Sequence, residues 1–275
     1  MNVLDRFRLT DQVAIITGGG GLLGRRHGEA IAEAGGTPVL WDIDLERAEA
    51  AAAAITADTG RPALGQRVDI TDPAAIQAAL AEVLARFGRC DILINNAAND
   101  PKVKPGGDMS WSRLENFALP MWERDLAVGL TGAFLCAQVI GSHLAAQGRG
   151  VILNISSDLG VIAPDQRLYR RPDVPDEAQP VKPVTYSVVK HGLLGLTKYL
   201  ATYWAERGVR VNAVSPGGVY TNQPEDFLLR LTNLIPLGRM ARQDEYKAAI
   251  VFLCSEASSY MTGHNMILDG GRTVL

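Results

Sequence analysis

Short apolar runs alternate along the chain with longer stretches in which apolar residues recur at helical spacing. The short runs are VAIIT (Val13–Thr17), PVLWD (Pro38–Asp42), LGQRVD (Leu64–Asp69), ILINN (Ile92–Asn96), VILNIS (Val151–Ser156), RVNAVS (Arg210–Ser215) and MILD (Met266–Asp269). They predict seven strands. Helices are predicted over Leu22–Ala34, Leu45–Ala57, Pro73–Phe87, Pro120–Gln147, Val184–Arg207 and Gln243–Ser255. Asp72 before Pro73 has the form of an N-cap followed by proline at the first helical position. Strands that are apolar throughout and alternate with helices predict an α/β fold. The expected form is a doubly wound parallel sheet of about seven strands (a Rossmann fold) with helices on both faces. No linker or repeat interrupts the pattern, so residues 1–275 read as one domain. Asn99–Leu119 and Val161–Thr185 are too long for plain connections. Each follows the C-terminal end of a strand, where doubly wound sheets bind ligands, and both are expected to be active-site loops.

Composition narrows the class. The chain has 275 residues, 47% of them hydrophobic, and a net charge of −3. That charge gives no reason to expect nucleic acid or an anionic membrane as partner. Cys90, Cys136 and Cys254 show no paired spacing and read as core residues in a reducing compartment. The N-terminus is charged at Asp5, Arg6, Arg8 and Asp11, unlike a signal peptide. No apolar run is expected to approach the ~20 residues of a membrane span. The expectation is a soluble cytoplasmic protein with a small-molecule substrate. His27, His143, His191 and His264 lack metal-ligand spacing and read as structural, so no metal is expected.

The stretch VAIITGGGGLLGRRHGEAIAEAG reads as strand, glycine turn, helix. Such a turn lets the backbone approach a pyrophosphate, which the helix N-terminus attracts. The following strand ends in Asp42, 18 residues past Gly24. A carboxylate there can bond a ribose diol and repel a 2′-phosphate, which favours NAD over NADP. Asp44 fits the N-cap of the next helix better than Asp42 does. Arg25 and Arg26 would face solvent or the pyrophosphate.

Tyr186 and Lys190 are four residues apart in a predicted helix and share a face. A free phenol has a pKa of about 10, and a neighbouring ammonium can lower it by roughly one to three units. The strand VILNIS ends in two serines whose hydroxyls can bond a substrate oxygen.

With these motifs the chain resembles the short-chain dehydrogenase/reductases in their short, single-domain form. The resemblance rests on the glycine turn, NNAA (Asn95–Ala98), Ser157 followed by Gly160, and Tyr186-x-x-x-Lys190. It extends through NAVSPGGVYT (Asn212–Thr221), IPLGRMA (Ile235–Ala241) and YMTGHNMILDGG (Tyr260–Gly271). It implies Tyr186 as acid/base, Lys190 as the residue that lowers its pKa and holds the nicotinamide ribose, and Ser157 as the group that positions substrate oxygen. Ser156 is the alternative, and the S-x-x-G spacing selects Ser157. For NAD, the resemblance implies Gly18, Leu23 and Gly24 at the pyrophosphate, Asp42 at the adenosine ribose and Asp69 at the adenine. Asp69 also fits a helix-entry role. Asn96 would lie beneath the cofactor, with Val219 and Thr221 at the carboxamide and phosphates. A homo-oligomer, tetramer or dimer, is implied too.

Three departures stand out. TGGGGLLG has the TGxxGxxG spacing of the extended form, with Leu22 where the short form has glycine. Gly129 stands where the family usually has Asn, leaving open a backbone-carried proton relay or a close helix approach. Ser157 precedes Tyr186 by 29 residues, wider than usual, the excess being the polar loop after Val161. The leading expectation is an NAD(H)-dependent secondary-alcohol/ketone oxidoreductase. The alternatives are a nucleotide-sugar epimerase or dehydratase, which the chain length opposes, and a non-catalytic dinucleotide sensor. Seven basic residues in the two loops (Lys102, Lys104, Arg113, Arg167, Arg170, Arg171, Lys182) face seven acidic ones, including Asp100 and Asp108. This mixed, polar lining suits a sugar or polyol better than a steroid or acyl chain.

Overall fold

The computed structural model describes residues 2–101 and 109–275. Lys102, Lys104 and Asp108 of the first long loop therefore lie outside the described residues. Seven parallel strands form one sheet in the order β3-β2-β1-β4-β5-β6-β7. They are β1 (Val13–Thr17), β2 (Thr37–Asp42), β3 (Leu64–Arg67), β4 (Ile92–Asn95), β5 (Gly150–Ile155), β6 (Val209–Pro216) and β7 (Asn265–Leu268). All seven expected strands are present, with ends within two residues of the expectation. Asp69, Asn96, Ser156 and Asp269 fall just past strand ends, in the loops where ligand-facing groups belong.

Successive β1 residues point to opposite faces, as the strand period of two requires. Val13 and Ile15 join a core with Trp41, Ile76, Leu93 and Ile140. Ala14 and Ile16 join another with Leu40, Ile55, Ile94 and Ile250. The first lies under α3 (Pro73–Phe87), α4 (Leu119–Ala146) and α5 (Val184–Tyr203). The second lies under α1 (Leu22–Glu33), α2 (Leu45–Thr59) and α7 (Lys247–Cys254). Each fully buried Ile or Leu contributes roughly 1.5–3 kcal/mol. Asp72 caps α3 through the Ala74 N–H, and Asp44 caps α2 through the Arg47 N–H, as expected. The cysteines are free and buried, and burial raises each thiol to about 12.

Three features differ from the expectation. Helix α6 (Glu225–Thr232) lies in a stretch for which the pattern predicts no helix. Its Leu231 packs with Leu168, Ile235 and Met240, so tertiary contact holds it. Helix α7 begins at Lys247 because Arg239 and the Arg242 N–H bind Glu245 and hold the preceding residues in a turn. Helix α4 contains two π-turns, Ala127–Thr131 and Ala137–Gly141. It is also long and apolar enough, by length and composition alone, to cross a membrane. In the fold, Cys136, Ala137, Ile140 and Leu144 lie in the core of the sheet.

Strands β1 and β4 are neighbours although α1, β2, α2, β3 and α3 separate them in sequence. The order reverses here, and the crevice beyond their C-terminal ends is where ligands of this architecture bind.

Candidate active site

The glycine turn opens from β1 at this crevice. Gly18 has φ +62°, and its carbonyl accepts the Gly21 N–H. Gly21 begins α1, and no side chain caps that end. A Cβ at Gly24 would lie 2.1 Å from the Gly18 oxygen, so this glycine is required for the turn to pack on its helix. Leu22 is 44% exposed. Its side chain leaves the turn, which is why no glycine is needed there and the extended-form spacing fits a short-form fold. Bare backbone, a tight approach and an uncapped helix N-terminus together suit a dinucleotide pyrophosphate. Leu23 is half-buried on the first turn of α1.

Asp42 ends β2 and is pinned there. One carboxylate oxygen accepts the Gly20 N–H at 3.0 Å and the other the Asp44 N–H at 3.2 Å. Arg47, not singled out by the sequence, donates to the Gly20 carbonyl at 3.2 Å and brings a cation to the same edge. Asn96 donates from Nδ2 to the Thr17 and Gly18 carbonyls, tying β4 to the glycine turn. Asp69 Oδ1 accepts from both the N–H and the hydroxyl of Thr71, which is the helix-entry geometry. Val219 bridges to Ala241, and Thr221 lies exposed beside Gln223.

Ser157, Tyr186 and Lys190 meet beyond β5. Ser157 is buried and starts a short 3-10 turn, Asp158–Gly160. Its hydroxyl donates to Asp158 Oδ1 at 2.8 Å. Ser156 instead donates to the Lys190 carbonyl at 2.8 Å, binding the strand end to α5. This structural bond separates the two serines in role. A Cβ at Gly160 would lie 2.3 Å from Ser156 Oγ and 2.9 Å from the Lys190 carbonyl oxygen. The S-x-x-G spacing thus reflects the close packing of this turn on α5. Lys190 is buried and donates to the Ile155 carbonyl at 2.8 Å. Burial lowers its pKa to about 8.

The tyrosine differs from the sequence expectation. Burial is the largest influence and raises the Tyr186 pKa. The Ser157 hydroxyl facing it lowers it, while Asp100, Asp158 and Tyr169 raise it further. The Lys190 ammonium lies 5.8 Å from the ring centroid, turned to Ile155, and does not reverse this. A second cation is nearer: Lys182 Nζ is 3.7 Å from the centroid and pairs with Asp100 at 2.7 Å.

The polar loop between Ser157 and Tyr186 is folded against the rest. Gln179 bonds both the N–H and the carbonyl of Arg171, and Leu168 is buried against α6. Lys182 reaches Asp100 beyond β4, and Arg113 reaches the Asp176 carbonyl, so the two long loops touch. Arg272, from the final 3-10 turn, donates to Asp158 Oδ2 at 2.6 Å. Sequence reasoning passed over Asp158 and Arg272, since their partnership spans 114 residues.

Gly129 lies in the first π-turn of α4 and is buried. The Gly132 N–H bonds the Ala127 carbonyl, five residues back. A Cβ at Gly129 would come 2.6 Å from Val189 Cγ1. Close approach of α4 and α5 therefore requires glycine, while the helix is irregular at the same point. Behind it, Asn95 donates to Asn154 at 2.9 Å and Asn154 to Thr197 at 2.8 Å, a buried polar ladder from β4 to α5. His27 is buried, and burial lowers its pKa to about 4, outweighing the neighbouring Asn96 side chain, which raises it. Among the described residues no three His, Cys, Asp or Glu side chains converge as a metal site.

This combination defines a nicotinamide-dinucleotide oxidoreductase fold, and comparison with known proteins gives the family. Residues 12–169 match the short chain dehydrogenase model, and residues 176–273 match the Enoyl-(Acyl carrier protein) reductase model. The chain belongs to the short-chain dehydrogenase/reductase family, in its single-domain form. It is 36% identical to D-threitol dehydrogenase of Mycolicibacterium smegmatis, covering 98% of this chain and 95% of that one. It is 32% identical to NAD-dependent glycerol dehydrogenase of Listeria innocua, covering 98% and 96%. Among solved structures it resembles a gluconate 5-dehydrogenase from Burkholderia cenocepacia in complex with NADP and tartrate, with TM-score 0.85, 31% identity and full coverage of both chains. The chain is thus an oxidoreductase of a family that interconverts alcohols and ketones with a nicotinamide dinucleotide.

Proposed function

We propose that the protein is an NAD(H)-dependent dehydrogenase of a polyol or sugar-like secondary alcohol. The observation that carries this reading is the convergence of Ser157, Tyr186 and Lys190 beyond β5, lined by polar loops. Relatives named for threitol and glycerol support the substrate class. Asp42 supports NAD, because its fixed carboxylate would repel a 2′-phosphate. Gly18, Leu23, Gly24, Asn96, Val219 and Thr221 would line the remaining dinucleotide site, and Asp69 would flank the adenine while holding its own loop.

When bound, NAD supplies the hydride acceptor and a positive charge beside the phenol. Ser157 would hold the substrate oxygen by donating its hydroxyl proton. Tyr186, as phenolate, would take the alcohol proton and return it in the reverse direction. Lys190, whose pKa burial lowers to about 8, would stabilise the phenolate through its ammonium and hold the nicotinamide ribose. Homo-oligomerisation is part of the proposal: Tyr199 and Tyr203 stack on α5 and are each 63% exposed, an apolar face suited to a second copy.

The direct test is absorbance of the reduced nicotinamide during incubation with NAD or NADP and D-threitol, glycerol, xylitol and galactose in turn. Turnover of at least one polyol or sugar with NAD is expected. No turnover of any, in a folded protein that binds NAD, contradicts the substrate class.

A further inference from the structure

We propose that Arg272 is a positioning residue for the reaction. By pairing with Asp158 it weakens that carboxylate's hold on the Ser157 proton, so that a substrate oxygen can compete for it, and shields Tyr186 from a buried carboxylate. The inference rests on the roles given above to Ser157 and Tyr186.

The Asp158 carboxylate serves three donors. Oδ1 accepts the Ser157 hydroxyl and the Leu159 N–H, both at 2.8 Å, while Oδ2 accepts Arg272 Nη1 at 2.6 Å. The Asp158 and Arg272 side chains are only 5% and 9% exposed. Ser157 has one proton to give. While it goes to Asp158 it cannot go to a substrate oxygen, and an ionised carboxylate is a stronger acceptor than a neutral alcohol or ketone. A guanidinium on the same carboxylate draws off its charge and weakens that competition.

Stability does not account for the pair. Arg272 Nε is buried with no partner among the described residues. A buried ion pair with an unsatisfied donor is often replaced by apolar residues at no cost in stability. Yet the chain holds Arg272 firmly in place. Asp269 accepts the N–H groups of Gly271 and Thr273, at 2.9 and 2.6 Å. Gly271 has φ +91°, and a Cβ there would sit 2.9 Å from Pro236.

The charged surroundings of Tyr186 give the pair a second effect. Facing the phenol are Lys182 and Lys190 on its own segment, Asp100 beyond β4, Ser157 and Asp158 beyond β5, and Tyr169 from the polar loop. Asp100 has Lys182 as its counter-ion, and Asp158 has Arg272. Removing Arg272 leaves a buried carboxylate uncompensated one residue from Ser157, which disfavours the phenolate.

The test needs no substrate. Tyrosinate ultraviolet absorbance is titrated with NAD present, and the same titration of Tyr186→Phe is subtracted. Arg272→Gln is expected to raise the Tyr186 midpoint by roughly half to one pH unit, and Asp158→Asn to lower it. The double variant should return near the parent value. With D-threitol as probe, the acid limb of the kcat/KM profile should move the same way. An unchanged midpoint in Arg272→Gln, or a double variant no nearer the parent than Arg272→Gln, overturns the proposal. Should Arg272→Gln fail to fold, Asp158→Asn decides, and an unchanged or raised midpoint overturns it. A difference spectrum showing no titration of Tyr186 removes the proton-transfer role itself, and this inference with it. Absence of D-threitol turnover alone bears only on the substrate class.

Discussion

Lys182 holds its ammonium 3.7 Å from the centre of the Tyr186 ring, nearer than Lys190 at 5.8 Å, while bonding Asp100 across the site. The family's spacing points only to Lys190. Here a second cation stands at the end of the polar loop and joins that loop to the segment beyond β4. Lys182→Met should raise substrate KM and lower kcat, together costing about tenfold in kcat/KM, with NAD affinity nearly unchanged. A half-desolvated cation–π contact with an ion pair is worth roughly 1–2 kcal/mol. Steady-state kinetics against each ligand separately checks the split. A variant impaired only in NAD binding would speak against a substrate-side role.

Asp42→Ser should narrow the preference for NAD. The carboxylate that would repel a 2′-phosphate is lost, and Arg47 remains at the Gly20 carbonyl as a cation for that phosphate. Thermal shift with each cofactor is the measure, since a ligand at ~100 times its Kd stabilises by about 2.7 kcal/mol. In the parent protein, NAD should give the larger shift at matched concentration. An equal or larger shift with NADP there would reverse the assignment.

The polar loop should act on substrate more than on cofactor. Leu168 anchors it to α6, and Gln179 braces it internally. Leu168→Ala empties a buried contact and should cost about 2–5 kcal/mol locally. If that energy loosens the loop, KM for the polyol rises and kcat falls while the NAD thermal shift persists. Unchanged kcat/KM would assign the loop to packing alone.

His27 makes stability depend on pH. Its folded pKa is lowered to about 4 by burial, against about 6.5 in an unfolded chain. The folded state therefore binds fewer protons between these values. The stability involved is complete above pH 6.5 and is lost as pH falls toward 4, by up to about 3 kcal/mol. His27→Leu fills the same buried site without a titrating group and should flatten the melting temperature between pH 6.5 and 5. An equally steep fall in His27→Leu would place the dependence elsewhere.

Much of this was legible in the chain because it is written in local pattern. Strands β1 and β4 are continuous apolar runs, Asp44 and Asp72 stand at helix starts, and Tyr186 and Lys190 lie one turn apart. What was hidden depends on distant packing. Helix α6 takes its shape from the loop packed on it. The Asp158–Arg272 pair joins residues 114 apart, and Gly129 is explained only by Val189 across a helix interface. The expected fall in the Tyr186 pKa failed for a related reason. Helical spacing places a lysine near the phenol, but it does not reveal the desolvation of the phenol or that Lys190 is buried and turns to Ile155.

The central claim is that Tyr186 transfers the proton in polyol oxidation with NAD. Single-turnover formation of NADH by the parent protein and by Tyr186→Phe, on the polyol the parent turns over fastest, tests it most directly. The account predicts NAD binding within about twofold of the parent and a rate lowered by roughly 10²–10⁴-fold at neutral pH. A folded Tyr186→Phe protein forming NADH at close to the parent rate would contradict it.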